Sequence, residues 1–389
     1  MQVQKSSKEI VEELSKNRRE PTWLKEKRLN ALKTFEALQQ PNYIYGLNIK
    51  LNTDFRLENV KIDNLDEDKN ETDNIIIQDL QEAVHKHDFL KNYLMNIVNP
   101  KENKFTAFHA SFFSTGLFIH IKKSVDNPII LSLDTKGKDK IEHIIVIMES
   151  GTSATIIEDI NTKEKESYFR SAVTEIFVKE NAKLNYVSVQ KLSNKTNNFE
   201  LKRALVERNS EINWLSCCIG SSLTLSDIDT ILNGEGSKTT NWGIFLGNEE
   251  QQFKIASSTI HAAPYTESDM LNKGILNDRS RAIYQGLIKI NSNAPNSNGY
   301  QKIDTLILSD EAEIDPIPNL EIDNHNVKCS HGATISQVDK EKIFYLMSRG
   351  LSEEEAKKMI IKGFFEPMID KIKIEAMKEE VRNIITKKL

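Results

Sequence analysis

Soft-metal or nucleophilic chemistry can come from few places in this chain: 389 residues hold three cysteines and eight histidines. The tightest pairing lies in VKCSHGAT, where Cys329 and His331 stand two residues apart. On an extended segment, residues at that spacing share a face. A thiolate and an imidazole could then converge on one soft metal such as iron or zinc. Two ligands do not close a site, and no CxxC or second Cys/His cluster supplies the others. Spacing alone leaves two readings open: a metal half-site completed by a second chain or by exogenous sulfide, and a polar turn that binds nothing. A Cys–His nucleophile would need a third, orienting residue, and the sequence identifies none.

The remaining candidates are weaker. Cys217 and Cys218 are adjacent in a strand-like run after Trp214, so they face opposite sides. The expectation is a buried small hydrophobe plus an incidental thiol, with sulfur relay inside a solenoid as the alternative. His85 and His87 sit at a spacing that diverges on a helix, which suits a solvated face. His261, in TIHAAP, has no readable role. GEGSKTT, Gly234 to Thr240, resembles the tail of a phosphate loop, but Ser237 separates Gly236 from Lys238. It reads as a turn, and no ATPase machinery is expected in this chain.

The elements that must position these residues change character along the chain. SKEIVEELSKN and TWLKEKRLNALKTFEAL read as helices, the second with Leu24, Ala31, Leu32, Phe35 and Leu38 on one stripe. A polar, acidic stretch from Asn52 to Asn74 reads as loop or short strand, and helix is expected again from Asp79 to Val98. From Phe105 to about Glu321 short β-rich runs follow one another, beginning with FFSTGLFIHI. A turn, a small residue and an apolar run recur at Ser153, Ala182, Ser210, Ser237, Ser280 and Ala312, with steps of 29, 28, 27, 43 and 32. A near-constant step with one insertion predicts a solenoid of short strands, not a mixed globular fold. The end is helical: Asp339 caps one helix and Gly350 stops it, and Ser352 with Glu355 forms a capping box for the next. In that helix Ala356, Met359, Ile360, Phe364 and Phe365 make the apolar face. The expected fold is mainly β, a parallel β-helix at 105–326 between an N-terminal helical domain at 1–104 and a C-terminal helical domain at 327–389.

Composition narrows the partners. A net charge of −5 gives no footprint for nucleic acid. No run approaches the ~20 apolar residues that span a bilayer, so no membrane is expected. MQVQKSSKEIVEEL lacks the apolar core of a leader. Three cysteines cannot build a disulfide framework, so a reducing cytoplasm is the expected location.

Taken together, LEIDNHNVKCSHGATISQVDKEKIFYLMSRGLSEEEAKKMIIKGFF resembles the C-terminal signature of the SufB/SufD family, the scaffolds of the SUF iron–sulfur cluster assembly system. REPTWLKEKRLNALKTFEAL resembles the family's N-terminal helix, and YQGLIKI with DTLILSDEAEIDPIPNLEI resembles its core. The resemblance covers both ends and the final coils, and is thin from about Asn42 to Thr230. It implies a right-handed parallel β-helix flanked by helical domains. It also implies pairing with a SufB-like paralogue through the β-helix and docking of a SufC-like ABC ATPase through the C-terminal helices. Ile303 stands where SufB-type chains carry a cysteine, and Cys329-Ser330-His331-Gly332-Ala333-Thr334 stands where they read E-H-E-A-T. Both departures point to a SufD-type chain. The resemblance places His331 at the subunit interface, with Cys329 beside it, as half of a site for a transient iron–sulfur cluster shared with the partner. The expected role is a scaffold and not an enzyme, with Phe344, Tyr345, Phe364 and Phe365 as candidate ATPase contacts or core. Two rivals remain: a homodimeric, SufB-like scaffold, and a β-helix acting on polysaccharide. The second would want a distinguished carboxylate pair, which the sequence does not show.

Overall fold

The structure is a computed structural model and describes residues 6–39, 44–45, 49–50, 70–71, 74–134, 139–162, 168–370 and 375–388. Most of the acidic stretch expected to be loop lies outside these residues. The body is a parallel β-solenoid in which successive strands alternate between two sheets. Sheet I runs from Ile129–Asp134 through Ser153–Asn161, Lys183–Lys191, Glu211–Cys218, Lys238–Gly247, Glu267–Leu276 and Asn298–Ile307 to Lys328–Gln337. Sheet II starts at Thr115–Ile121 and ends at Arg281–Ile290 and Glu313–Ile322. Below Thr115–Ile121, sheet II continues into antiparallel strands Ile75–Asp79 and Asn70–Glu71.

The corners explain the recurring small residue. On the sheet I side each coil turns through a left-handed residue: Gly151, Asn181, Asn209, Gly236, Tyr265 and Asn296 have φ between 54° and 73°. The next residue is Thr152, Ala182, Ser210, Ser237, Thr266 or Ser297, each buried in the corner. Asparagine and glycine suit this position because they tolerate positive φ. The step of 43 between Ser237 and Ser280 is therefore not an insertion. Ser280 and Ala312 precede Arg281 and Glu313, which belong to sheet II, whereas the coil-mate of Ser237 is Thr266, 29 residues on. From Ser237 to Ser280 the chain passes from a sheet I corner to a sheet II corner, one and a half coils on.

Helices cover both outer faces. Helices α1 (Ser7–Asn17), α2 (Thr22–Ala37) and α4 (Lys104–Phe112) pack with Phe169, Phe177, Phe199 and Leu225 of sheet II, while α3 (Leu80–Lys86) is a short turn of helix after Ile75–Asp79. The helix expected from Asp79 to Val98 is thus shorter, ending at Lys86 and giving way to a 3-10 turn at Asp88–Asn92. Phe105 begins a helix rather than the β-rich core, because Asn103 caps α4 with its side chain. At the other end α5 (Lys340–Ser348), α6 (Glu353–Ile369) and α7 (Glu375–Lys388) follow, with the Asp339 cap and the Ser352–Glu355 capping box in place. The buried face of α6 is Ala356, Ile361, Phe365, Met368 and Ile369; Met359, expected on it, is exposed. The last solenoid strand, Lys328–Gln337, lies within the residues expected to begin the C-terminal domain as a turn, so Cys329 and His331 belong to the solenoid.

The N-terminal helices are tied to sheet II by a buried chain of titratable groups. His109 of α4 bonds Ser171 Oγ through Nδ1 at 2.9 Å and His143 Nδ1 through Nε2 at 3.2 Å. His143 Nε2 lies 3.0 Å from Glu175, whose carboxylate also accepts the backbone N–H groups of Met95, Ile97 and Val98. Burial, with His143, Arg28 and Arg170 nearby, holds His109 well below the ordinary histidine range. Burial likewise pushes His261 down to about 4. Both groups refuse a proton that the unfolded chain accepts below about pH 6.5. Stability contributed above that pH is therefore lost as pH falls, by about 1.4 kcal/mol per pH unit for each such group. Thermal melting followed from pH 7.5 to 4.5 should show a falling Tm with a shallower slope in His109→Gln. A flat profile would contradict this account.

Candidate functional site

The sequence-predicted pair lies on the last strand of sheet I, which among the described residues pairs with Asn298–Ile307 alone. Register puts Cys329 opposite Gly299, His331 opposite Gln301 and Ala333 opposite Ile303. Gly299, Gln301 and Ile303 are buried and face the lumen. Cys329 and His331 therefore face inward too, at the mouth of the solenoid. Cys329 is half-buried, packed with Val327 and Leu320 against Met270, Ile288, Ile290 and Ala294. Gly299 makes room for it: a Cβ there would stand 3.4 Å from Cys329 Sγ and 3.0 Å from Ile288. His331 is exposed. Burial raises the Cys329 thiol above its ordinary value, so the group is protonated at neutral pH unless a cation displaces the proton.

Two residues along a strand, the Cα atoms are about 6.6 Å apart, and side chains on one face at that spacing can reach one another or a shared ligand. Among the described residues no group of three or more His, Cys, Asp or Glu side chains is placed to hold a metal ion.

The two strands that end the solenoid differ as docking edges. Glu313–Ile322 carries Pro316 and Pro318 yet pairs along its whole length with Arg281–Ile290. Proline has no N–H, so the ladder must use donors from the intervening residues, and both prolines turn toward the free edge. That edge lacks donors at two places. Lys328–Gln337 contains no proline and keeps its full row. Ile322, Ile335 and Tyr300 are exposed around the same end.

The other candidates separate as strand parity requires. Cys218 points into the lumen with Phe245, Phe253 and Ile255, and Cys217 points outward beneath α6 and α7 with Leu215, Ile244 and Phe365. Burial, and then Glu200, raise the Cys218 thiol far above its ordinary value. GEGSKTT is a corner: Gly236 has φ +72°, Ser237 Oγ donates to the Gly234 carbonyl at 2.7 Å, and Lys238 pairs with Glu267. His85 is exposed, and His87 is half-buried with its ring tilted against Phe89 and Phe118. His261 is buried between Thr266 and Ser268. Of the four aromatics proposed as partner contacts or core, Phe365 is fully buried and Phe364 half-buried. Phe344 and Tyr345 of α5 are 73% and 56% exposed.

Sequence reasoning missed a charged network inside the solenoid. Lys202 reaches Glu158 at 3.1 Å and Glu200 at 3.2 Å, Arg170 donates to Glu142 at 2.7 Å, and Tyr186 donates to Glu158 at 2.5 Å. Burial opposes ionisation of Glu142, but Arg170 and Lys140 overcome it and hold the carboxyl at about 2. The available signal was opposite charges one coil apart: Glu142, Arg170 and Glu200 follow at steps of 28 and 30.

Comparison with known proteins agrees with this architecture. Residues 131–364 match the family described as "SUF system FeS cluster assembly, SufBD core domain". A Staphylococcus saprophyticus iron–sulfur cluster assembly SufBD family protein is 31% identical over 353 residues, covering 88% of this chain and 75% of the relative. Its Staphylococcus haemolyticus counterpart is 30% identical over 421 residues, covering 94% and 89%.

Two outcomes follow from the burial and charge pattern. In the native protein a maleimide should modify Cys329 alone, faster as pH rises, with Cys217 and Cys218 reacting only after denaturation; rapid native labelling of Cys218 would contradict its lumen position. Lys202→Met strands two buried carboxylates and should cost about 3–5 kcal/mol in urea unfolding. A cost below about 1 kcal/mol would show that water reaches the network.

Proposed function

The chain belongs to the SufBD family of iron–sulfur cluster assembly proteins, and we propose that it is a SufD-type scaffold that pairs end-on with a SufB-like subunit. In this reading it performs no turnover of its own and holds half of a transient cluster. The observation that carries it is the placement of Cys329 and His331 on the inner face of the last strand of sheet I, whose outer edge is open among the described residues. A partner strand added to Lys328–Gln337 would satisfy the open row of backbone groups and bring further ligands over the same mouth.

The ligand chemistry suits a donor of clusters. Thiolates hold iron–sulfur clusters, and histidine in place of cysteine raises their potential. Cys329 would give up its proton on binding iron, and His331 would bind as the neutral imidazole. With ligands divided between two chains, separation or rotation of the mouths releases the cargo. Helix α5 supports a second contact: Phe344, Tyr345 and Met347 are exposed on a short helix with no buried residue. A SufC-like ABC ATPase is the proposed occupant, since GEGSKTT is a solenoid corner. No described helix is long and apolar enough to cross a membrane, and the proposed workplace is the cytoplasm.

Co-expression with SufB-like and SufC-like subunits tests the reading. One complex containing all three chains is expected, and Phe344→Ala with Tyr345→Ala should release the ATPase but keep the SufB-like subunit. His331→Ala should retain the complex and lose cluster formation in anaerobic reconstitution with iron and sulfide. Undiminished cluster formation in that variant would sink the assigned site. A cluster-bearing dimer of this chain alone would replace the heteromer with the homodimeric scaffold.

A further inference from the structure

The buried chain under helix α4 has a direction. An ionised carboxylate only accepts hydrogen bonds. Glu175 takes the backbone N–H groups of Ile97 at 2.9 Å and Val98 at 3.0 Å, and also that of Met95. Its remaining contact, His143 Nε2 at 3.0 Å, is then a donor. A neutral imidazole donates through one nitrogen and accepts through the other. His143 Nδ1 therefore accepts from His109 Nε2, 3.2 Å away, and His109 Nδ1 accepts the Ser171 hydroxyl proton at 2.9 Å. This tautomer order, assigned from the contacts, satisfies all three of them with both rings neutral.

A further proton has no good place. On His143 Nδ1 it would set two N–H donors face to face. On His109 Nδ1 it would make a buried cation that Arg28 of α2 and Arg170 of sheet II both repel. The carboxylates beside those two are taken: Glu20 pairs with Arg28 at 2.7 Å, and Glu142 and Glu200 pair with Arg170. Lys27 of α2 acts on Glu175 and is bound to the Lys91 and Leu94 carbonyls. Arg18 and Arg203 are likewise bound, to the Ser114 carbonyl and to Glu102 with Asp229. Solvent has a way to the chain. A cavity of about 50 Å³ lies beside Thr106, His109 and Ser171, and is also lined by Glu200, Asp227 and Lys254. That is room for water, and 29% of the Asp227 side chain is exposed.

We propose that Ser171, His109, His143 and Glu175 form a proton-operated latch, which one added proton opens so that α1, α2 and α4 lift from sheet II as a unit. The proton comes from hydronium through the cavity, forms an N–H bond on the histidine pair and breaks the His109–His143 hydrogen bond. The helices hold one another without the latch. Arg28 Nη1 donates to the Ser111 carbonyl, Phe35 packs on Phe108 and Phe112 at 5.7 and 6.3 Å, and Val11 of α1 joins the same cluster. The solenoid also stands without them. Lys140–Met148, Tyr168–Val178 and Thr196–Val206 stay paired through backbone groups that do not titrate. Lifting uncovers Phe169, Phe177 and Phe199 of sheet II. The latch is independent of the cluster-site reading.

Hydrogen–deuterium exchange of the intact full chain tests the latch, read by mass spectrometry from pH 7.5 to 5.0 and corrected for the intrinsic rate at each pH. Peptides covering α2, α4 and residues 95–98 should lose protection by up to about tenfold per pH unit below about 6.5, for each proton taken up on opening. Lys183–Lys191 and Glu211–Cys218 of sheet I should keep theirs. Helix protection that ignores pH would overturn the proposal. So would equal losses in the helices and in sheet I, since the chain would then open as a whole. Glutamine keeps one donor and one acceptor group but takes up no proton in this range, so His109→Gln with His143→Gln should remove the pH dependence. A dependence that survives both substitutions would belong to other groups and would overturn the latch. Should the double variant not fold, the comparison of helices with sheet I in the unsubstituted protein decides.

Discussion

The hydrogen-bonded ladder between one coil and the next is the constraint on which the rest of this molecule depends. Parallel pairing stacks each side chain on its counterpart a coil away, as Asn213 stacks on Asn185 and Cys217 on Val189. Inward residues then have no neighbours except those above, below and across the lumen. A buried charge must be answered within that short list, which is why Arg170, Glu142, Glu200 and Lys202 form one network. A bulky inward residue must likewise find space in the adjoining coil. Gly274 fits under the Phe245 ring, where a Cβ would stand 2.0 Å from the nearest ring atom.

A ladder of this kind has to end, and its ends are its reactive parts. At the lower end, sheet II passes into antiparallel strands from the N-terminal region. At the upper end, among the described residues, both sheets stop with paired donors and acceptors on one side only. Proline at 316 and 318 blunts one of these edges, a common device against indiscriminate strand addition. The other edge is intact and carries the two side chains best suited to iron. An open row of backbone groups and the Cys329–His331 pair thus occur together at the same interruption of the ladder.

Much of this was legible in the sequence because the solenoid repeats. The alternation of short strands, the corner residues and the helix caps at Asp339 and Ser352 all rest on local rules; both caps are in place, and the sheet I corner residue falls as expected at Ala182, Ser210 and Ser237 but at Thr152 rather than Ser153. The phase of the repeat was harder to read. Ser237 and Ser280 occupy equivalent corners of different sheets, and local sequence does not distinguish the two sides of a coil. The extent of the solenoid was also underestimated: VKCSHGAT is polar because its strand has no coil above it, and an exposed edge strand resembles a turn. That Cys329 and His331 share a face was readable from spacing. That the face is the lumen depends on register with Gly299 and Gln301, which only the assembled ladder provides.

The C-terminal helices have a mechanical consequence. Ile361, Phe365, Met368, Val381 and Ile385 pack in one cluster with Val187, Leu215, Ile244, Ile275 and Leu306, one from each of five successive strands of sheet I. Lys273 adds a bond to the Phe364 carbonyl and lies 4.5 Å from its ring. The pair is a splint laid along the barrel's flank, stopping one strand short of the mouth. A load applied at α5 would be spread as shear over these five rungs rather than prising at the last one. The final rung, unsplinted, is the compliant part of the lever, and a pull on the helices would tilt the mouth without tearing the coil that carries it.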